Sequence, residues 1–529
     1  MVQGQTGKDL ADEVRWSKAS GASWRRDASG FYYSRYDEPK PGDSLKGVNQ
    51  NHKVFFHRLG TQQAQDELVF ARPDQPEWYL GAEVTEDGRW VVITASKGTN
   101  PETSVFLVDL TQPKAAPEPF LTKMDATYEV VDCDGDTFYV VTNKDAPRRR
   151  LVAIGKGKPE PKNWKEIIPQ AKSRDVLDSV SLVGERFIAT WMRDAHHAVE
   201  LYDRTGKKLT DVALPALGTV QGFDGKRTDS ETFYVFTGFT APPTIYRLDM
   251  KSTASTIFRQ PKIAFDSSAY ETEQVFFKSK DGTRVPMFLV HKKGLVRDGT
   301  TPTLLYGYGG FNIPLTPWFS VSAAAWLEMG GLYAVANLRG GGEYGMEWYD
   351  AGRLAHKQNV FDDFIAAAEW LKAERYTSTA RLAIEGGSNG GLLMGVQMEQ
   401  RPDLWNAVVI QVPLLDMLRI TKIGAGASWV GEYGSPDIPA ERAFLASISP
   451  YHHLKPGVAY PEPLIVTSTK DDRVGPGHAR KFAARMAAMG LPYLYYENTQ
   501  GGHSASANQR EIARKTALEM TYLTRKLMD

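Results

Sequence analysis

An amino-terminal β-propeller followed by an α/β-hydrolase domain is the architecture expected from three features of this 529-residue chain. Short strand pairs led by aromatic residues recur through its first half. Apolar strands alternate with helical stretches through its second half. Within that second half, Gly386-Gly387-Ser388-Asn389-Gly390 sits between the apolar run Leu382-Ala383-Ile384 and a helix-like segment from Leu392 to Gln400. A serine between glycines at a strand-to-helix junction is the pattern of a nucleophile elbow. Taken alone, the pentapeptide also fits a glycine-rich turn with an incidental serine, because short motifs recur by chance. Its surroundings must decide.

The propeller is read from the order of strands. Phe31-Tyr32-Tyr33 is followed by Val54-Phe55-Phe56, Trp90-Val91-Val92 by Val105-Phe106-Leu107, and Phe138-Tyr139-Val140 by Leu151-Val152-Ala153. Phe187-Ile188-Ala189 then precedes Val199-Glu200-Leu201, and Phe233-Tyr234-Val235 precedes Thr244-Ile245-Tyr246. The leading aromatics recur about every 46–59 residues, the length of one propeller blade. Asp87-Gly88 and Asp134-Gly135 supply turn signals just before the first strand of a pair. About five blades fit into residues 1–262 at ~45–50 residues each.

Near Tyr270 the grammar changes, and residues 263–529 form the second expected domain. Gln274 to Ser279 and Met287 to His291 flank Lys280-Asp281-Gly282-Thr283 as a hairpin. Strands follow at Thr303–Tyr306, Leu332–Ala336, Leu382–Ile384, Ala407–Ile410, Leu464–Thr467 and Leu494–Tyr496, interleaved with helices at Phe361–Arg375, Leu392–Gln400, His478–Met489 and Ser506–Met528. Such alternation predicts a mostly parallel sheet covered on both faces, with its ligand site at the carboxyl ends of the strands.

Composition narrows the chemistry. Lysine plus arginine and aspartate plus glutamate both number 63, so no nucleic-acid or polyanion partner is indicated. The single cysteine, Cys133, excludes an intrachain disulfide and a cysteine-rich metal site, and no metal or cofactor is expected. No apolar run is long enough to span a bilayer, and Met1 to Asp9 lacks the apolar core of a secretory leader.

A serine hydroxyl needs a base, and the base needs an orienting acid, in the order Ser, Asp or Glu, His. After Ser388 the histidines are His452, His453, His478 and His503. His503 lies in a glycine-rich loop after the last strand, from which it could reach Ser388. His478 falls in a helical run and reads as a structural surface residue, and His452 and His453 as packing or capping residues. Asp471 and Asp472 follow the strand Leu464–Thr467, and the spacing leaves the choice between them open. Asp416 and Asp437 are placed less favourably, and Asp403 beside Arg401 reads as a turn or cap. The backbone N–H of Asn389, at a helix start, is positioned to donate to an oxyanion. A second donor is expected from the loop Tyr306-Gly307-Tyr308-Gly309-Gly310-Phe311-Asn312, whose glycines admit a ligand to the backbone and whose tyrosines carry hydroxyls.

Together with Asn337-Leu338-Arg339-Gly340-Gly341-Gly342-Glu343-Tyr344-Gly345 and Asp471-Asp472-Arg473-Val474, these segments resemble the prolyl oligopeptidase family through the whole second half. The first half is similar chiefly in its repeat. The resemblance implies Ser388 as nucleophile, Asp471 as acid and His503 as base. It implies that the Tyr308 hydroxyl joins the Asn389 N–H in an oxyanion hole, and that Arg473 holds a substrate carbonyl upstream of the scissile residue. Trp429 would stack on a substrate proline ring, with Phe311, Tyr433 and Val474 lining the pocket and Leu414 standing where the family usually has a smaller residue. Proline is rigid, apolar and without an N–H, so shape and ring stacking must recognise it.

The expected function is therefore serine endopeptidase action after proline in oligopeptides, by a monomer without membrane or nucleic-acid partners. The alternatives are another oligopeptidase or an esterase of the same fold, a catalytically impaired shortened form, or a non-catalytic propeller scaffold. The family usually carries seven blades and an amino-terminal segment, so an amino-terminally short propeller with open edges is expected. The compartment expected is cytoplasmic, with a periplasmic or secreted full-length form as the alternative.

Overall fold

The computed structural model describes residues 7–39 and 50–529. The amino-terminal stretch Met1 to Thr6, read above for a leader, lies outside them.

The described residues between 22 and 259 form five four-stranded antiparallel sheets arranged as successive blades. The strand pairs expected from sequence are the two central strands of each blade, for example Gly30–Arg35 with Lys53–Arg58 and Trp90–Lys97 with Thr103–Asp109. Blades adhere through their aromatic and β-branched faces. The Trp90 and Phe138 rings meet edge-on at 5.6 Å between the second and third blades, and Tyr139 and Phe187 at 5.0 Å between the third and fourth. Offset or edge-on ring pairs contribute beyond the area that they bury. The fifth leading aromatic departs from this pattern. Phe233 is 37% exposed and packs on Phe258, while its neighbours Tyr234 and Phe236 fill the inter-blade core. The innermost strands surround a cavity of about 330 Å³ lined in part by Glu83, Glu86, Glu129 and Asp132.

The second half builds one eight-stranded sheet. Its strands are β1 (Tyr270–Lys278), β2 (Arg284–Lys292), β3 (Thr303–Tyr306), β4 (Leu332–Ala336), β5 (Leu382–Gly387), β6 (Ala407–Gln411), β7 (Pro463–Ser468) and β8 (Leu494–Asn498). The spatial order is β1-β2-β4-β3-β5-β6-β7-β8, with β1 and β2 antiparallel and the rest parallel. The covering helices are α1 (Val321–Glu328), α2 (Gln358–Ala373), α3 (Asn389–Gln400), α4 (Pro439–Ser447), α5 (Gly477–Ala488) and α6 (Gln509–Leu527). The central strands are buried on both faces, and one apolar cluster runs from β2 and β4 through α2 and α3 to α5.

Helices α2 and α3 begin earlier than the apolar periodicity suggests, whereas α6 begins later, at Gln509 and not Ser506. Helix α3 starts at Asn389, directly after the elbow serine, and α2 at Gln358. Helices α1 and α4 have no counterpart in the sequence reading. The Arg339-to-Glu343 segment is an internal strut: Arg339 is buried and clamps Asp363 of α2, while Glu343 accepts from the Leu315 N–H at 2.9 Å. Burial raises the Glu343 carboxyl to about 7. Among the described residues no helix is long and apolar enough to cross a membrane.

Candidate active site

Strand β5 ends in Gly386-Gly387 and hands the chain to α3 through Ser388, whose φ and ψ are 57° and −116°. For a residue with a Cβ this backbone is strained by roughly 1–3 kcal/mol, and the surrounding fold must hold it there. The flanking glycines make the turn sterically possible. A Cβ on Gly386 would come within 2.5 Å of the Gly390 carbonyl oxygen, and one on Gly390 within 2.9 Å of the Gly307 carbonyl oxygen. Gly387 has ordinary space around it, with its nearest contact at 3.6 Å, so the clash argument holds for only part of the motif.

Asp471, in the turn after β7, places its Oδ2 2.8 Å from His503 Nδ1. Its Oδ1 accepts the N–H groups of Arg473 and Val474, each at 3.0 Å. Burial pushes the Asp471 carboxyl up, but the imidazole and the two amides outweigh it, so its pKa lies below the ordinary carboxylate value. The neighbour that the spacing left open, Asp472, instead forms an ion pair at 2.6 Å with Lys18 of the propeller segment. Since the carboxylate can only accept, His503 Nδ1 carries the proton and Nε2 is free to act as a base. Among the hydrogen bonds of the described residues none joins Ser388 Oγ to the ring. The two meet across a shared cavity, and such contacts often tighten only when substrate is bound.

That cavity, of about 800 Å³, also takes in Tyr308, Phe311, Trp429 and Arg473 from the hydrolase domain. Its far wall is propeller: Lys18, Tyr36, Tyr79 and Thr99 all face it, and none of them was singled out by the sequence pattern. Burial and the nearby Glu432 charge push the Tyr308 phenol up to about 12, with the Ser388 hydroxyl beside it, so Tyr308 stays a protonated donor near neutrality. Tyr433, Val474 and Leu414 lie behind the cavity wall, buried in the same apolar cluster as Trp429.

Two further residues fix the Tyr308 loop, and neither is visible as a motif. Glu432 and Lys357 are buried and paired at 2.6 Å, and Lys357 Nζ also donates to the Gly309 carbonyl at 2.9 Å. Glu432 Oε2 accepts the Phe311 N–H at 3.0 Å and the Tyr349 hydroxyl at 2.9 Å. The loop needs this restraint, because Phe311 and Asn312 both have φ near the left-handed minimum, at 58° and 56°. The Asn389 side chain adds a third tie: its Nδ2 donates to the Tyr308 carbonyl at 2.6 Å, and its Oδ1 accepts the Tyr433 hydroxyl at 2.7 Å. Burial lowers the Lys357 pKa, and the Glu432 carboxylate opposes that shift. Removing one partner of such a pair leaves an uncompensated buried charge, so Glu432→Gln is expected to lose about 3–5 kcal/mol of stability. Replacing both with apolar residues should cost less, and urea unfolding of the single and double variants checks the order.

The remaining candidates fall elsewhere. His478 is fully buried rather than at the surface: its Nδ1 accepts the Asp416 N–H at 3.1 Å, and burial lowers its pKa to about 4. It is structural, as expected, but its helix turns it inward beneath the β6–α4 connection. His452 and His453 serve the turn before β7, at 2.8 Å from Ser449 Oγ and the Ala446 carbonyl respectively. Asp416 is buried and held by Lys481 and Arg419, Asp437 is exposed, and Asp403 pairs with Arg401 on the surface.

Comparison with known proteins gives concordant matches over both halves. Residues 1–261 match the family model described as "Prolyl oligopeptidase, N-terminal beta-propeller domain", and residues 317–529 match "Prolyl oligopeptidase family". The chain is 43% identical over 521 residues to a prolyl endopeptidase of Elizabethkingia meningoseptica, covering 98% of this chain and 73% of that one. It is 36% identical to a prolyl endopeptidase of Dictyostelium discoideum, covering 96% and 71%. Among solved structures, one from a study of two prolyl endopeptidases superposes with a TM-score of 0.93 at 38% identity, covering 99% of this chain and 77% of that chain. Prolyl oligopeptidase B from Galerina marginata, bound to a 35mer substrate, gives 0.91 at 31%, covering 99% and 74%.

Proposed function

This chain belongs to the prolyl oligopeptidase family, and on that premise we propose that it is a serine endopeptidase cleaving oligopeptides on the carboxyl side of proline. The observation that carries the reading is the convergence of the elbow serine, the Asp471–His503 pair, Tyr308 and Trp429 on one cavity. Ser388 Oγ attacks the prolyl carbonyl while His503 Nε2 takes its proton, and Asp471 holds the imidazolium that forms. Negative charge on the carbonyl oxygen is met by the Tyr308 hydroxyl and the Asn389 N–H at the start of α3. The imidazolium then protonates the leaving amine, and water repeats the sequence to free the acyl group.

Specificity follows from what lines the site. Trp429 and Phe311 supply flat apolar surface to a ring that offers no N–H. Among the described residues facing the cavity Asp472 is the one carboxylate, and it pairs with Lys18, so the described lining gives no support to capture of a basic side chain. Arg473 faces the cavity and can hold a peptide carbonyl just upstream of the proline. Fluorogenic peptides that differ only in Pro or Arg at the cleaved position test the reading: turnover is expected for proline alone, and comparable rates would overturn it. Tyr308→Phe is expected to reduce kcat by about 10²–10³ with little change in KM, since its hydroxyl acts on charge that develops only in the transition state. The reading extends to a monomer in the cytoplasm. The lone cysteine, buried in the propeller, supports a reducing compartment, and size-exclusion chromatography checks the monomer.

A further inference from the structure

Glu271, Glu273 and His291 share one face of the β1–β2 hairpin. Glu271 is directly opposite His291 in the register, and Glu273 is two residues along the same strand. Because β2 runs antiparallel to β4, with Val290 opposite Tyr333, this end of the hairpin lies at the amino-terminal edge of the parallel strands. Ser388 and His503 occupy the other edge, so the group stands apart from the site described above.

Two carboxylates on a half-exposed strand mean little by themselves, and the histidine supplies the independent observation. Its side chain is only 4% exposed. Nδ1 lies 3.0 Å from the Lys292 carbonyl oxygen, which can only accept, so Nδ1 carries the proton. Among the described residues Nε2 has no hydrogen-bond partner; it is buried and faces Glu273 Oε1 at 3.7 Å. That gap is too long for a hydrogen bond. Two atoms bound tetrahedrally to one ion at about 2.1 Å each lie about 3.4 Å apart, so a small closing of this gap would let both hold a common ion. One ligand atom from each of the three residues falls within 4.8 Å of the others, with Glu271 Oε1 approaching the ring from its Nδ1 side at 3.7 Å.

The outer contacts are those that orient metal ligands. A histidine ligand ordinarily donates its second ring N–H to a carbonyl or carboxylate, and a ligating carboxylate is itself hydrogen-bonded. Here the Lys292 carbonyl serves His291, and the Tyr376 hydroxyl donates to Glu273 Oε2 at 3.1 Å, leaving Oε1 turned toward Nε2. Arg297 is the nearby cation, 3.6 Å from Glu273 Oε2 and stacked over Tyr376, and one guanidinium against two carboxylates leaves the group net negative.

We propose that Glu271, Glu273 and His291 bind a divalent transition-metal ion of the zinc class, with water completing the coordination. An imidazole ligand argues against magnesium and calcium, which take oxygen sites, and the lack of a thiolate in the set argues against copper(I). The ion joins the strand by which the chain enters the hydrolase domain to its neighbour, so it acts on stability and not on the chemistry at Ser388.

Calorimetric titration of the EDTA-stripped 529-residue chain with zinc chloride tests this. One saturable site is expected, with no comparable heat from magnesium chloride. Glu273→Gln and His291→Asn should each weaken zinc binding by at least tenfold, and Tyr376→Phe by roughly 10-fold or more through the outer contact. Zinc should raise the thermal midpoint of the wild type and not that of Glu273→Gln, whose fold in EDTA is checked by circular dichroism. No binding at millimolar zinc, or wild-type affinity in both Glu273→Gln and His291→Asn, would overturn the proposal.

Discussion

Ser388→Ala is expected to lower kcat by about a million-fold, the cost found when a triad nucleophile is removed from a serine peptidase. The strained turn explains why the loss should be local. The φ of 57° at position 388 is imposed by the close approach of Gly386 and Gly390 to their surroundings, and alanine can occupy the same backbone. Thermal stability should therefore stay near that of the wild type, or rise slightly, while fluorophosphonate labelling disappears. Persisting label on the alanine variant would remove Ser388 from the nucleophile role. The cavity beside it would be unchanged, so prolyl peptides should still bind, and their affinity can be measured without turnover.

Asp471→Asn is the second large effect, about 10⁴-fold in kcat. An asparagine amide can donate to His503 Nδ1 and so favours the tautomer with its proton on Nε2, where a base is needed. It also removes the negative charge that stabilises the imidazolium. Asp472→Asn makes the informative control. Its carboxylate pairs with Lys18 at 2.6 Å, but both side chains are substantially exposed, and such a pair contributes at most about 1 kcal/mol. A modest, salt-dependent change is expected there, against a collapse of activity for its neighbour.

The contrast between these two aspartates shows where sequence reasoning reached and where it stopped. Their spacing from β7 limited the acid to the pair, and only the resemblance to a family selected Asp471. The elbow, the last-loop histidine and the alternating strands were legible because each depends on local backbone chemistry. The outer strands of the blades were not. Ser255–Arg259, for instance, has four exposed residues among its five and lacks the alternation that marks a half-buried strand. Phe233 followed the repeat in sequence but faces outward, because Tyr234 and Phe236 take the inter-blade positions. His478 was assigned to the surface because a histidine in a polar helix has no mark of burial until the helix face is known. Lys357 and Glu432 are the plainest case. A buried ion pair formed by residues far apart in the chain leaves no periodicity, and each member taken alone reads as a solvated charge.

The wall that carries Trp429 is not built by the hydrolase domain alone. Tyr79 donates to Ser428 Oγ at 3.3 Å, and Thr99 donates to the Ser428 carbonyl at the same distance. Gly98 approaches that carbonyl so closely that a Cβ would lie 2.8 Å from it. The second blade thus serves as a mould for the segment carrying Trp429, the residue proposed to meet the substrate ring. Exchanging propellers between relatives would alter the recognition surface as well as the entrance, and substitutions at residues 79, 98 or 99 would register as changes in substrate preference. On the proposed reading, selectivity is a joint property of two folds.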